Sequence, residues 1–367
     1  MNRRNFIAAG AMAGVGAVVQ GTNASTSLPS DRTSEISADE EAIERELPIV
    51  DAHHHLWDFK DADNGRGRYL LSEILADIAA SGHRITQTVF VECGTMYRTD
   101  GPAELRPVGQ TEFANGIAAM SASGIYGPSR IAAGIIATAD LRLGDNVNRV
   151  LEAQVGAGNG RLRGIRVPTA WIELPIFGHS LDPSFKDIMR DAKFREGFGC
   201  LARHDLSSDI WCFHTQLADV ADIAGAFPNT LIVLNHLGTP LSIGPFANKQ
   251  VEVLNEWKRG IRELSRRHNV VVKLGGLGMD LSRQLVPQKQ YVASSELASR
   301  WRPLVETCIG AFGVNRCMFE SNFPPDRSIS TYGAIWNAFK RITMGYSGPE
   351  KNDLFSATAK RVYRLPA

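Results

Sequence analysis

Ile49-Val50-Asp51-Ala52-His53-His54-His55-Leu56-Trp57-Asp58 is the stretch on which the reading of this chain turns. Two apolar residues lead into three consecutive imidazoles, the pattern of a short buried strand with a polar end. On a strand alternate side chains share a face, so His53 and His55 point one way and His54 the other. Two imidazoles side by side suit a metal ion or a polar floor beneath a substrate carbonyl. A hydrogen-bonded cluster that only orders the loop to Trp57 is the third reading.

From Leu47 onward one pattern recurs: a short apolar or β-branched run, a polar or glycine-bearing loop, then a segment of helical period. The expected strands are Ile49 to His53, Thr88 to Glu92, Ile131 to Ala137, Leu162 to Val167, Ile210 to His214, Leu231 to His236, Val270 to Leu274 and Cys317 to Ser321. Eight strands alternating with helices predict an α/β chain folded as a (β/α)8 TIM barrel, a single catalytic domain over residues 47–367. A doubly wound sheet would need a glycine-rich turn after its first strand, and none is present. The interval from Cys93 to Arg130, with Tyr97, Arg98, Glu104, Arg106 and Glu112, exceeds what a connection needs and is expected to form a wall or lid.

The chain has 367 residues, 44% hydrophobic and 22% charged, with a formal charge of +1. That balance gives no electrostatic footprint for nucleic acid or an anionic membrane, so the partner to expect is a small-molecule substrate held in a site. Barrels of this kind often pair, so a homo-oligomer is compatible with the sequence. Five scattered cysteines describe neither a zinc knuckle nor a disulfide framework. Arg3-Arg4-Asn5-Phe6-Ile7 and the Ala/Gly-rich run to Val19 resemble a twin-arginine export signal over residues 1–24, too short to span a bilayer. Export to the periplasm follows as an expectation, with no membrane span in the mature chain. Residues 25–46, rich in Ser, Thr, Asp and Glu, read as a flexible linker.

Barrel enzymes carry their reacting groups at the C-terminal ends of strands. Those ends here bear His53 and His55, then Glu92, Arg166, His214, His236, Lys273, and Glu320 with Asn322. Arg166 offers two parallel donors to a carboxylate, and Trp57, Glu92 and Lys273 complete the expected substrate-binding set. His83 and His268 precede their strands and belong at the opposite rim.

Taken in order, Asp51 to Asp58, Ile232-Val-Leu-Asn-His236-Leu-Gly238, Val270-Val-Val-Lys273-Leu-Gly-Gly276 and Arg316-Cys-Met-Phe-Glu320-Ser-Asn322-Phe-Pro324 resemble the amidohydrolase-related family. This branch of the amidohydrolase superfamily contains sugar-lactone and pyrone-dicarboxylate lactonases, with metal-dependent decarboxylases as cousins. The resemblance implies that His53, His55 and His214 ligate one divalent metal, zinc before manganese or iron, although several lactonase relatives work without one. It implies that His236 polarises the carbonyl or moves protons.

The eighth strand departs from the family pattern Ser-Asp-Trp-Pro, reading Ser321-Asn322-Phe323-Pro324. An amide cannot take a proton from water. Three readings follow: Asp326, Glu320 or Glu92 replaces the missing carboxylate; His236 is the base and Asn322 holds substrate; or the site binds without turnover. The expected function is hydrolysis of a cyclic ester, with Asp326 or Glu320 as base. Nonoxidative decarboxylation of an aromatic or unsaturated acid and non-catalytic binding are the alternatives.

Overall fold

The computed structural model describes residues 40–59, 67–176, 179–279, 281–282 and 291–366. The expected export signal and most of the expected linker lie outside these residues. Eight parallel strands pair in sequential order: β1 (Ile49–His54), β2 (Ile85–Val91), β3 (Arg130–Ala137), β4 (Leu162–Pro168), β5 (Ser207–Trp211), β6 (Ile232–Leu234), β7 (Val270–Leu274) and β8 (Cys317–Phe319). The chain beyond β8 returns to β1 through a parallel bridge between His54 and Phe323. Asn322 N–H donates to His53 O at 3.0 Å, and His55 N–H to Phe323 O at 2.8 Å. The (β/α)8 barrel expected from the alternation is the fold. Both faces of a parallel sheet are covered, which is why Val270-Val271-Val272 and Ile232-Val233-Leu234 are continuously apolar.

The outer ring is α1 (Leu71–Ser81), α2 (Val108–Ala122), α3 (Asn148–Gly158), α4 (Ala192–Cys200), α5 (Leu217–Ala226), α6 (Gln250–Leu264), α7 (Ser294–Phe312) and α8 (Tyr332–Ile342). The long interval after β2 contains an ordinary crossover helix, α2, which leaves residues 93–107 at the strand ends and 123–129 at the opposite rim. A continuous helix from Ser184 to Glu196 is not formed. Asp187 takes a left-handed φ of 54°, and Asp191 caps the later start of α4 by accepting from Phe194 N–H at 2.8 Å.

β1 carries the local irregularity that aims the site. Asp51 pairs with Thr88 and His54 with Phe90, three steps against two, which is a one-residue bulge. Val50 and Ala52 join the apolar interior with Val89, Val233, Val271, Met318 and Tyr363. The bulge lets His53 face that interior too, while His54 turns outward to Thr88 Oγ1 at 2.8 Å. At the far end of the barrel, Ala359, Val362, Tyr363 and Leu365 pack against the same interior as a floor.

Residues 40–46, expected to be linker, are seated on the barrel. Glu40 accepts from Ser294 N–H at 2.6 Å, and the buried Lys340 ammonium donates to Ile43 O and Glu44 O, both at 2.9 Å. Lys340 also lies 3.0 Å from His83 Nδ1, which leaves His83 in a structural contact at the rim opposite the strand ends.

Asp51 ties β1 to the opposite edge of the barrel. It accepts from Ser321 N–H (2.9 Å), Ser321 Oγ (2.6 Å) and the Tyr332 hydroxyl (3.0 Å), all buried. Asp51→Ala would strand three buried donors at the closing seam, at a cost of roughly 3 kcal/mol or more. Urea unfolding should show the midpoint falling with little change in slope.

Candidate active site

Glu320, fully buried just past β8, sits between two imidazoles. Its Oε1 accepts from His236 Nδ1 at 2.7 Å and from the His236 backbone N–H at 3.1 Å. Its Oε2 lies 2.9 Å from His53 Nδ1 without hydrogen-bond alignment. The His53 and His236 rings are 4.6 Å apart. To reach this carboxylate the chain after β6 coils left-handed: φ is 53° at His236, 52° at Leu237, 71° at Gly238 and 31° at Thr239. Three non-glycine residues in that region store on the order of 1–3 kcal/mol each. Gly276 makes room, since a Cβ there would lie 2.1 Å from His236 Nδ1, and its own φ is 64°.

His53 and His55 share a face, as the alternation predicts, with Nε2 atoms 3.2 Å apart. Burial holds both imidazoles well below the ordinary histidine range, reinforced by Lys273 at His53 and by Arg166 at His55. Both are neutral rings. His55 Nδ1 faces the Val91 carbonyl at 2.8 Å, so its proton is on Nδ1 and its Nε2 carries a lone pair. His53 has two choices. With its proton on Nε2 it donates to His55 and accepts on Nδ1 from Lys273, 3.4 Å away. With its proton on Nδ1, aimed at Glu320, two bare Nε2 atoms converge.

The second tautomer fits a divalent cation. Two nitrogen ligands of a tetrahedral zinc stand roughly 3.3 Å apart. Donor atoms of His53, His236 and Glu320 lie within 4.8 Å of one another. The cluster therefore has the donor set for a divalent metal.

His214, expected as third ligand, is not in the cluster. β5 ends at Trp211, and the chain turns so that the His214 ring packs at 4.9 Å on Phe246, with Nε2 4.0 Å from Glu256 on α6. The side chain that β5 sends inward is Asp209, missed because the expected strand began at Ile210. An acid in a strand between Ser208 and Ile210 was the available signal.

Lys273 is likewise not at a substrate surface. It is fully buried, its ammonium 2.8 Å from Asp209 Oδ2, which also accepts from Asn235 Nδ2 (3.0 Å) and the Tyr363 hydroxyl (2.9 Å). Arg166 and Glu92 are both present but spent on each other. Arg166 Nε donates to Glu92 Oε1 at 2.9 Å and Nη2 to the Glu92 carbonyl, leaving Nη1 3.5 Å from His53 Nε2. Trp57 stacks on His55 with centroids 6.0 Å apart.

Asn322 and Asp326 form a pair beside Glu320. Asn322 Nδ2 donates to Asp326 Oδ1 at 2.7 Å, and Gly278 N–H donates to Oδ2 at 3.0 Å. Burial pushes the Asp326 carboxyl up to about 7.

Comparison with known proteins places this architecture. The model of the Amidohydrolase family (Amidohydro_2) matches residues 50–365. The uncharacterized protein y4mH of Sinorhizobium fredii is 31% identical over 337 residues, 87% of this chain and 99% of that one. L-fucono-1,5-lactonase of Burkholderia multivorans is 25% identical over 323 residues, 86% and 96% of the two chains. A crystal structure of an amidohydrolase from Burkholderia multivorans with bound zinc superposes with a TM-score of 0.67 at 23% identity, covering 87% of this chain and 99% of that one. The matched residues include His53, His236 and Glu320, and this chain belongs to the Amidohydrolase family.

Proposed function

We propose that this chain hydrolyses a lactone of modest size, with His236 as the base. The observation that carries this reading is Glu320 held 2.7 Å from His236 Nδ1, which fixes that proton and leaves the lone pair on Nε2. Glu320 itself is an orienting group, because its oxygens already face two imidazoles. Kinship at 25% identity to a lactonase supports the same class. Arg166 and Lys273 are paired with Glu92 and Asp209, so decarboxylation of an acid substrate would rely on a divalent ion to hold its carboxylate.

His236 Nε2 takes the proton of a water whose oxygen bonds to the lactone carbonyl carbon, and the carbonyl electrons move onto oxygen. Arg166 Nη1 supplies nearby positive charge for that oxygen. Collapse re-forms the carbonyl, breaks the ring C–O bond, and returns the proton from Nε2 to the leaving alkoxide. The hydroxy acid then ionises. His53 and His55 would hold a divalent ion through their Nε2 atoms, zinc first, and when bound it would supply Lewis-acid polarisation of the carbonyl, with Glu320 orienting His53. The twin-arginine opening supports work in the periplasm; Arg3→Lys with Arg4→Lys should retain the protein in the cytoplasmic fraction.

A pH-stat assay on a lactone panel, with evolved carbon dioxide recorded, tests the reading. Acid without gas is expected, and Glu320→Gln should lower kcat roughly 10²–10⁴-fold with KM little changed. Gas from an aromatic acid would favour the decarboxylase, and no turnover the binding protein.

Asp326 makes a separate, thermodynamic prediction. Its folded carboxyl titrates near 7 against an ordinary 3.8, so its stabilisation is complete below about pH 4 and is lost as pH rises through about 7. Asp326→Asn removes that proton linkage. Between pH 4 and 7 the unfolding free energy of the parent should decline relative to the variant by up to about 1.4 kcal/mol per pH unit, read from urea midpoints.

A further inference from the structure

Lys273 is clamped where it cannot turn away from His53. Its ammonium donates to Asp209 Oδ2 at 2.8 Å and stands 5.2 Å over the Tyr363 ring, and neither the Lys273 nor the Asp209 side chain has any exposure. Asp209 is itself held by Asn235 Nδ2 at 3.0 Å and by the Tyr363 hydroxyl at 2.9 Å. The ammonium so fixed lies 3.4 Å from His53 Nδ1, within hydrogen-bond reach.

Two groups of opposite demand meet at that nitrogen. Lys273 can only donate, so it needs a bare Nδ1; the Glu320 carboxylate, with Oε2 2.9 Å from the same atom, can accept only when Nδ1 carries the proton. His55 is not contested, because its Nδ1 proton goes to Val91 O at 2.8 Å and leaves Nε2 bare. Without a cation the Lys273 arrangement is the one that closes: Lys273 donates to His53 Nδ1, and His53 Nε2–H donates to His55 Nε2 at 3.2 Å. The reverse arrangement sets two bare Nε2 atoms against each other at that distance, while the contact with Glu320 Oε2 is not aligned. Arg166 Nη1, 3.5 Å from His53 Nε2, is farther away than His55. A divalent ion between the two Nε2 atoms inverts the preference. A ligating imidazole gives its other N–H to a carboxylate, which raises its basicity, and an ammonium at that nitrogen opposes it.

We infer that Lys273 is a positioning residue that holds the His53 proton on Nε2, away from Glu320, and thereby weakens the grip of His53 and His55 on a divalent ion. Binding of the ion moves that proton from Nε2 to Nδ1 and passes the ring from Lys273 to Glu320, so no proton is gained or lost. The inference rests on the reading of His53 and His55 as the ligands and is independent of the reaction catalysed.

The test titrates zinc into the metal-stripped protein against a chromophoric chelator. Lys273→Met alone leaves the Asp209 charge buried and unpaired, so it is combined with Asp209→Asn, which removes both charges. The double variant should bind zinc roughly 10–100-fold more tightly than the parent. Equal or weaker binding by the folded variant overturns the inference. A second measurement needs no variant: nitrogen NMR of the histidine rings in the metal-free parent should find the His53 proton on Nε2, and zinc should move it to Nδ1. A proton already on Nδ1 before zinc is added also overturns the inference. His53→Ala and His55→Ala separate it from the reading on which it rests. If neither weakens zinc binding, the ligand reading fails and the role of Lys273 falls with it; if both do and the double variant binds as the parent does, only the role of Lys273 falls.

Discussion

A carboxylate with no exposure, Glu320, inserted between two imidazoles, is the constraint around which the upper barrel is arranged. A buried carboxylate is tolerable only when hydrogen-bonded, and both donors to this one come from a single residue, His236. The left-handed turn at His236 brings the backbone N–H and Nδ1 of one residue to the same oxygen. The bulge in β1 brings His53 to the other.

Beneath the imidazoles a second buried pair repeats the logic in the opposite sense. Lys273 is the cation that needs partners, and Asp209 Oδ2 supplies one while also accepting from Asn235 and Tyr363. Because Tyr363 comes from the C-terminal floor, the last residues of the chain are linked to the active face through Asp209, Lys273 and His53. Arg166 and Glu92 form the third couple. Each of the two buried cations beside the imidazoles, Lys273 and Arg166, is thus matched by an acid.

The fold was legible because an all-parallel barrel writes itself as apolar runs of fixed length alternating with helices. Facing of His53 with His55 was legible too, since a bulge before His53 leaves the two-residue period after it intact. His214 and Lys273 were misplaced for a common reason: a strand's end in sequence does not say whether its last polar residue points up, down or out. β5 stops three residues before His214, and nothing in Trp211-Cys212-Phe213-His214 marks the stop. Lys273 does lie on the inward face, but fully buried against His53 and Asp209. Asp209 and Tyr363 depend on each other across 154 residues, a relation no local pattern carries.

The Asn322 for aspartate exchange reads differently once Asp326 is placed. Displaced by four residues, the acid accepts from the amide nitrogen, so the amide cannot reverse and its Oδ1 is left as acceptor. An aspartate at 322 would bring a second negative charge close to Glu320, with repulsion raising the pKa of one of them. The amide gives a fixed acceptor without that charge. On the proposed mechanism, a water that donates one hydrogen to such an acceptor keeps the other for His236 Nε2. Orientation and proton removal, which one aspartate performs in the family pattern, are then divided between Asn322 and His236, and the acid at 326 holds the first of them in position.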